Sequence, residues 1–140
     1  MNAEYFLDTN IFLYTFDLDE PGKKRQANRL IRDALESGGG IISWQVVQEF
    51  LNVALQKWET PMTKEEAEFY VRKTLLPLWH IYPNADLYGV ALRVHEDSGY
   101  QFYDCLIVAA AIHAGARTLF TEDMQDGRRF GDLTIRNPFA

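Results

Sequence analysis

The segment FYDCLIVAAAIHAGARTLFTED, residues 102–123, predicts a helix, a stop, a strand and an acidic residue in direct succession. Its apolar run at 102–114 predicts a helix that ends at Gly115, because glycine readily adopts the left-handed conformation found at helix ends. Residues 118–121 predict a strand, and Asp123 follows just past its end. A helix that leads into such a strand is typical of a parallel α/β sheet, which binds ligands beyond the carboxyl ends of its strands.

The rest of the chain continues this alternation. Apolar runs predict strands at 3–7, 41–42, 79–82 and 133–136. Capping residues and helical periodicity predict helices over 22–37, from Ser43 to about 58, from Thr63 to about 76, and onward from Asn84. No linker or internal repeat divides the chain. We therefore predict one α/β domain over residues 1–140, with a central, mostly parallel sheet of four to five short strands and helices on both faces.

The composition indicates a folded protein that needs no covalent cross-links. Of 140 residues, 47% are hydrophobic and 14% aromatic, which is enough for a core. A single cysteine excludes an intrachain disulfide and a C-x-x-C metal site. No apolar run approaches the roughly 20 residues of a membrane span, and no basic segment opens the chain. These features predict a soluble cytoplasmic protein without a membrane partner.

The formal net charge of −6 leaves two interpretations open. Proteins that bind nucleic acids usually present a basic surface, so an acidic chain could be one that never meets a polyanion. The alternative is that several acids share one metal pocket, where bound cations reverse the local charge. Composition alone does not choose between them.

Four acidic residues are predicted at the ligand-binding edge of the sheet. Asp8 follows the first strand, Asp123 follows the strand at 118–121, Asp104 lies in the first turn of a helix, and Glu49 lies about two turns into another. Any one of the aspartates could simply cap a helix or a turn. Glu49 is different because it lies in an apolar stretch, where a carboxylate is costly unless it is paired or bound to metal.

The motifs around these acids resemble the PIN-domain family, most closely the toxin ribonucleases of VapBC toxin–antitoxin pairs. The residues that carry the resemblance are Phe6-Leu7-Asp8-Thr9-Asn10, Ser43 with Glu49, the run YDCLIVAAA at 103–111, and Thr121-Glu122-Asp123-Met124. The resemblance implies a single PIN-like domain. It also implies an RNA substrate, a small antitoxin partner whose tail blocks the acidic pocket, and a homodimer.

The resemblance further implies a role for each site residue. The family's catalytic acids match Asp8, Glu49, Asp104 and Asp123, and its small polar supporting residues match Asn10 and Thr121. Hard divalent ions such as Mg²⁺ or Mn²⁺ prefer such oxygen ligands. We expect Asp8, Asp104 and Asp123 to bind the metal, and Glu49 to bind a second ion or position the attacking water.

Other candidates stay open at this stage. Asp126 could support the site, although a solvated loop residue is the plainer interpretation. Arg128 and Arg129 follow Asp123 closely and are candidates for binding the substrate backbone. Two other functions remain: a non-catalytic RNA-binding or regulatory module of PIN fold, and a metal-dependent phosphodiesterase acting on DNA. Four clustered carboxylates argue against the first of these, because they do not help to bind RNA alone.

Overall fold

The structure is a computed structural model and describes residues 3–140. Six strands alternate with six α-helices along this part of the chain. The strands are β1 (Tyr5–Leu7), β2 (Gly40–Ser43), β3 (Trp79–Ile81), β4 (Thr118–Phe120), β5 (Arg129–Phe130) and β6 (Leu133–Arg136). The helices are α1 (Thr9–Tyr14), α2 (Pro21–Ser37), α3 (Trp44–Gln56), α4 (Lys64–Tyr70), α5 (Ala85–Ser98) and α6 (Phe102–His113).

The strands form one sheet in the order β3-β2-β1-β4-β6-β5. All neighbours pair in parallel except β5, which is antiparallel to β6. The predicted mostly parallel α/β sheet is therefore confirmed. It has six strands instead of four to five, because two-residue β5 is too short to show a pattern in sequence. Every residue of β1 and β2 is buried, as expected where helices cover both faces.

Helix ends follow the predicted capping residues in most cases. Gly38, with a φ of 75°, ends α2. Thr63 and Glu66 form both bonds of a capping box at the start of α4, and the Asn84 side chain accepts from the Leu87 amide at the start of α5. Ser43 occupies the N-cap position of α3 as predicted, but its buried hydroxyl makes no capping bond.

Two helical segments differ from the prediction. The helix expected over 63–76 is α-helical only to Tyr70, and continues as a π-helical turn, Val71–Leu75, and a 3₁₀ turn, Leu76–Leu78. Leu76 before Pro77 keeps helical backbone angles, and the chain becomes extended at Trp79, two residues past Pro77, which has no N–H to continue helical bonding. Helix α1 was not predicted, since its six residues are too few to show periodicity.

The core lies between the sheet and its helices. Its largest fully buried side chains include Phe6 of β1, Phe12 of α1 and Phe50 of α3. Helix α6 lies deepest, since every residue from 105 to 111 is buried. This packing fixes the first turn of α6, and with it Asp104, against the rest of the molecule. No helix within residues 3–140 is long and apolar enough to cross a membrane.

Candidate active site

Asp8 connects the central strand to the first helix. It follows β1 directly and is the N-cap of α1, where its Oδ1 accepts from the Thr9 amide at 2.7 Å. Its Oδ2 accepts from the Thr121 hydroxyl at 2.8 Å. Only 5% of Asp8 is exposed. The carboxylate is therefore held at both oxygens at the carboxyl edge of the sheet.

The surroundings of Asp8 favour its neutral form. The pKa of Asp8 is raised to about 7, mainly by burial and to a smaller extent by the negative charges of Glu49 and Asp123. The hydrogen bonds from Thr121 and Thr9 act in the opposite direction but do not offset the burial. A carboxyl with this pKa changes its charge near neutral pH. Strongly shifted groups of this kind are concentrated at functional sites.

Thr121 connects Asp8 to Asp123. While its hydroxyl donates to Asp8, its oxygen accepts from the Asn10 amide group at 3.2 Å and from the Asp123 backbone N–H at 3.1 Å. The same Asn10 group donates to Asp123 Oδ2 at 2.9 Å. The two residues predicted to support the acids thus contact Asp8 and Asp123 directly. The side-chain oxygen of Asn10, Oδ1, is buried and has no hydrogen-bond partner among residues 3–140.

Glu49 is held by two residues that the sequence did not indicate. Thr9 donates its hydroxyl hydrogen to Glu49 Oε1 at 2.6 Å, and Gln45 donates to Oε2 at 3.1 Å. The Gln45 amide group also donates to the Tyr103 carbonyl at 2.9 Å, which links α3 to the first turn of α6. The spacing of Gln45 and Glu49, four residues apart on one helix, was the available signal. Nothing local indicated Thr9, because its partner is 40 residues away in sequence.

Asp104 completes the acidic group from the side of α6. It is partly buried in the first turn of that helix. Burial raises its pKa, and the charges of Asp123 and Glu49 add to the effect, while Gln101 opposes it. Since Asp8 also responds to Glu49 and Asp123, all four predicted acids share one electrostatic environment.

The four carboxylates are nevertheless not arranged as a preformed metal cage. Among residues 3–140, no three side chains of the His, Cys, Asp and Glu types lie close enough to bind an ion together. The direct contacts run instead through Thr9, Asn10 and Thr121. The structure therefore brings the predicted acids to one edge and leaves polar groups between them.

Comparison with known proteins identifies the family. A family model described as the PIN domain matches residues 5–129. The chain belongs to the PIN-domain family. The resemblance predicted from the motifs is thereby confirmed. No curated protein matches this chain in sequence.

Several solved structures share the PIN fold of this chain. A toxin–antitoxin complex from Klebsiella pneumoniae is 20% identical, with a TM-score of 0.66 over 96% of this chain and 98% of that one. VapBC2 from Rickettsia felis, bound to a promoter DNA fragment, is 24% identical, with a TM-score of 0.63 and coverages of 96% and 98%. VapC20 from Mycobacterium tuberculosis, a toxin that cleaves the sarcin–ricin loop, is 17% identical, with a TM-score of 0.55 and coverages of 86% and 92%. These similarities support the assignment of the fold.

Two of the three further candidates in this PIN domain have local partners. Asp126 Oδ1 accepts from the Asn137 amide at 2.9 Å, and so fixes the segment after β6. Arg128 donates to Asp97 Oδ2 at 3.1 Å and lies 4.8 Å from the centroid of the Phe130 ring. Arg129 is exposed in β5. Of the two arginines predicted to bind substrate, Arg128 is thus already engaged with α5.

Proposed function

We propose that this PIN domain is a metal-dependent endoribonuclease that acts as the toxin of a toxin–antitoxin pair. The observation that carries the proposal is the position of Asp8, buried and under the negative charge of Glu49 and Asp123 at the carboxyl edge of the sheet. Such a cluster is costly for folding alone, and a bound cation would offset its charge. The fold shared with VapC20, a toxin that cleaves the sarcin–ricin loop, favours RNA over DNA.

The donor atoms at this edge fit Mg²⁺ or Mn²⁺. They are carboxylate and amide oxygens, which hard divalent ions prefer, and they include the buried Asn10 oxygen, which has no hydrogen-bond partner within the described part of the chain. Mg²⁺ keeps several waters and needs only one or two direct carboxylates, so no three-residue cage is required. Asp8, Asp104 and Asp123 would hold the ion, directly or through its bound waters. When bound, it would offset phosphate charge and acidify a ligand water.

The surrounding residues set the orientation of these acids. Thr9 contacts both Asp8 and Glu49, with its amide on the first and its hydroxyl on the second. Both oxygens of Glu49 already accept hydrogen bonds, which fix the plane of its carboxylate. A carboxylate held in this way can accept a hydrogen bond from a water that approaches the phosphate. These contacts support the proposal that Glu49 orients the attacking water.

A cleft beside the acids suits the proposed antitoxin. It has a volume of about 830 Å³ and begins at Asn10. Apolar side chains such as Phe16, Trp58 and Met62 line it together with the acids Asp17, Asp19, Glu59 and Glu66, and no basic residue takes part. An apolar segment with basic residues would complement this lining. We include a homodimer in the proposal on the family resemblance alone.

The decisive experiment compares substrates with and without metal. We expect the purified protein to cleave structured RNA in Mg²⁺ or Mn²⁺, to lose this activity in EDTA, and to leave single-stranded DNA intact. RNA cleavage that survives EDTA would remove the metal from the proposal, and cleavage of DNA alone would favour the phosphodiesterase alternative. Tight RNA binding without cleavage in any metal would favour the non-catalytic module.

The Thr9 hydroxyl offers a test of how Glu49 is positioned. Thr9→Val keeps the shape of the side chain but leaves Glu49 Oε1 without its donor at 2.6 Å. We expect about a tenfold loss of RNA cleavage and a loss of roughly 1 kcal/mol in the free energy of unfolding, because one hydrogen bond to a charged group disappears. Cleavage rates and urea unfolding measure the two effects.

The matched control for this substitution is Thr15→Val. The Thr15 hydroxyl donates to the Phe12 carbonyl at the other end of α1 and does not contact the acids. The Thr15→Val variant should lose a similar amount of free energy of unfolding and cleave RNA at the normal rate. An equal loss of cleavage in both variants would mean that α1 as a whole, and not the contact to Glu49, determines activity.

A further inference from the structure

A partly buried ion pair ties the loop that carries Asp123 to helix α2. Lys23, in the first turn of α2, places its Nζ 2.6 Å from Glu122 Oε1. The two side chains are 29% and 25% exposed. Their residues are 99 positions apart in sequence, so the contact links distant parts of the chain. Ion pairs on open surfaces contribute little, but this one has lost most of its solvent.

Aromatic rings fix the lysine from the other sides. Nζ of Lys23 lies 4.9 Å from the centroid of Tyr14 and 5.9 Å from that of Phe139, and it donates to the Tyr14 hydroxyl at 3.3 Å. The two rings pack edge to face, with centroids 5.0 Å apart. The ammonium group is thus surrounded by a carboxylate, a hydroxyl and two ring faces. These contacts restrict the rotamers of a side chain that is usually mobile.

The position of Glu122 explains what the ion pair could control. Glu122 lies between Thr121, which donates to Asp8, and Asp123, which accepts from Asn10. Its second oxygen, Oε2, is buried and has no partner among the described residues, so the Lys23 contact, with a smaller contribution from Tyr14, offsets the burial of Glu122. Loss of Lys23 would leave a partly buried carboxylate in the same short loop as Asp123.

We propose that Lys23 and Glu122 are positioning residues that lock the loop of Thr121 to Asp123 onto α2, and so set the place of Asp123 relative to Asp8. The consequence for cleavage rests on the proposed function, whereas the locking of the loop does not. Neither residue needs to touch the substrate. The ion pair acts through the backbone of residues 121–123, where a shift of about 1 Å at a reacting group is enough to impair catalysis.

The test is a double-mutant cycle with Lys23→Met, Glu122→Gln and the combined variant. One readout is hydrogen–deuterium exchange of a peptide covering 118–127, measured without metal or RNA. The other is Mn²⁺ affinity measured by electron paramagnetic resonance. We expect each single variant to exchange faster in this peptide and to bind Mn²⁺ about 3- to 10-fold more weakly, and the combined variant to be no worse than either. The conservative variant Lys23→Arg should show the wild-type exchange rate and the wild-type Mn²⁺ affinity.

An exposed ion pair in another part of the chain provides the matched control. Arg72→Met and Glu68→Gln remove an exposed ion pair at 3.4 Å in a distant part of the chain and should change neither readout. Additive effects in the cycle, or unchanged exchange in Lys23→Met, would overturn the proposal. Weaker RNA binding by Lys23→Met with normal exchange would instead make Lys23 a phosphate contact. If the wild-type protein cleaves no RNA, the exchange data still decide whether the ion pair locks the loop.

Discussion

Replacing Asp8 with asparagine is expected to stabilise the protein at pH 8 while abolishing the proposed nuclease activity. Asp8 is 5% exposed, and burial raises its pKa to about 7. At pH 8 Asp8 is therefore mostly ionised, in buried surroundings that disfavour its charge. Asparagine has the same shape and no charge. The site would lose its most buried acid, and we expect cleavage to fall by about 10³-fold or more, as when an essential catalytic group is removed.

The expected gain in stability follows from the direction of the pKa shift. The usual pKa of 3.8 describes Asp8 in the unfolded chain, and about 7 describes it in the folded protein. Because the folded state holds the proton more tightly, its stability falls as the pH rises from about 4 to about 7 and is level above that. Asp8→Asn removes this dependence. After the loss of one hydrogen bond from Thr9 or Thr121, roughly 1 to 3 kcal/mol of stabilisation should remain at pH 8.

Urea unfolding at pH 5 and pH 8, in metal-free buffer, measures the effect. The variant should exceed the wild type at pH 8 and approach it at the lower pH. Mg²⁺ should raise the melting temperature of the wild type but not that of the variant, since a cation that binds the folded state stabilises it. Glu65→Gln, an exposed site in α4, is the control for removing one negative charge. A variant less stable than wild type at pH 8 would contradict the shift assigned to Asp8.

The sequence predicted the positions of the four acids because strand topology determines them. Parallel strands end at one edge, so Asp8 after β1 and Asp123 after β4 had to lie near each other, given that these strands are neighbours. The order of the strands cannot be read from apolar runs alone. That order, β3-β2-β1-β4-β6-β5, comes from the structure.

The contacts that orient the acids could not be predicted in the same way. Thr9 and Glu49 are 40 residues apart, and Lys23 and Glu122 are 99 apart. Each contact depends on side-chain rotamers and on how α1, α2 and α3 pack, and none of these leaves a local pattern in the sequence. Helix α1 was missed for a related reason. Its N-cap, Asp8, directly follows the last residue of β1, so no loop separates the strand from the helix.

Gly40→Ala is expected to cause a large loss of stability in this fold. Gly40 begins β2, opposite Tyr5 of β1. A Cβ atom added there would lie 2.4 Å from the Cβ of Ala34 and 2.8 Å from Cε2 of Tyr5. Ala34 is fully buried in α2, so the helix contacts the strand where the glycine leaves room. We expect a loss of about 2 to 4 kcal/mol in the free energy of unfolding, because a well-packed interior resists added volume.

Gly39→Ala is the matched control, since the neighbouring glycine borders only flexible atoms. A Cβ at Gly39 would approach the Glu4 carboxylate at 3.2 Å and the Ser37 hydroxyl at 3.4 Å, and both side chains can move away. Urea unfolding should show little change there. If Gly40→Ala lowered the free energy of unfolding as little as Gly39→Ala, α2 would be able to move away from the sheet without cost. If α2 is instead fixed at Gly40, that close contact also fixes where Lys23 meets Glu122, so packing far from the acids helps to place Asp123.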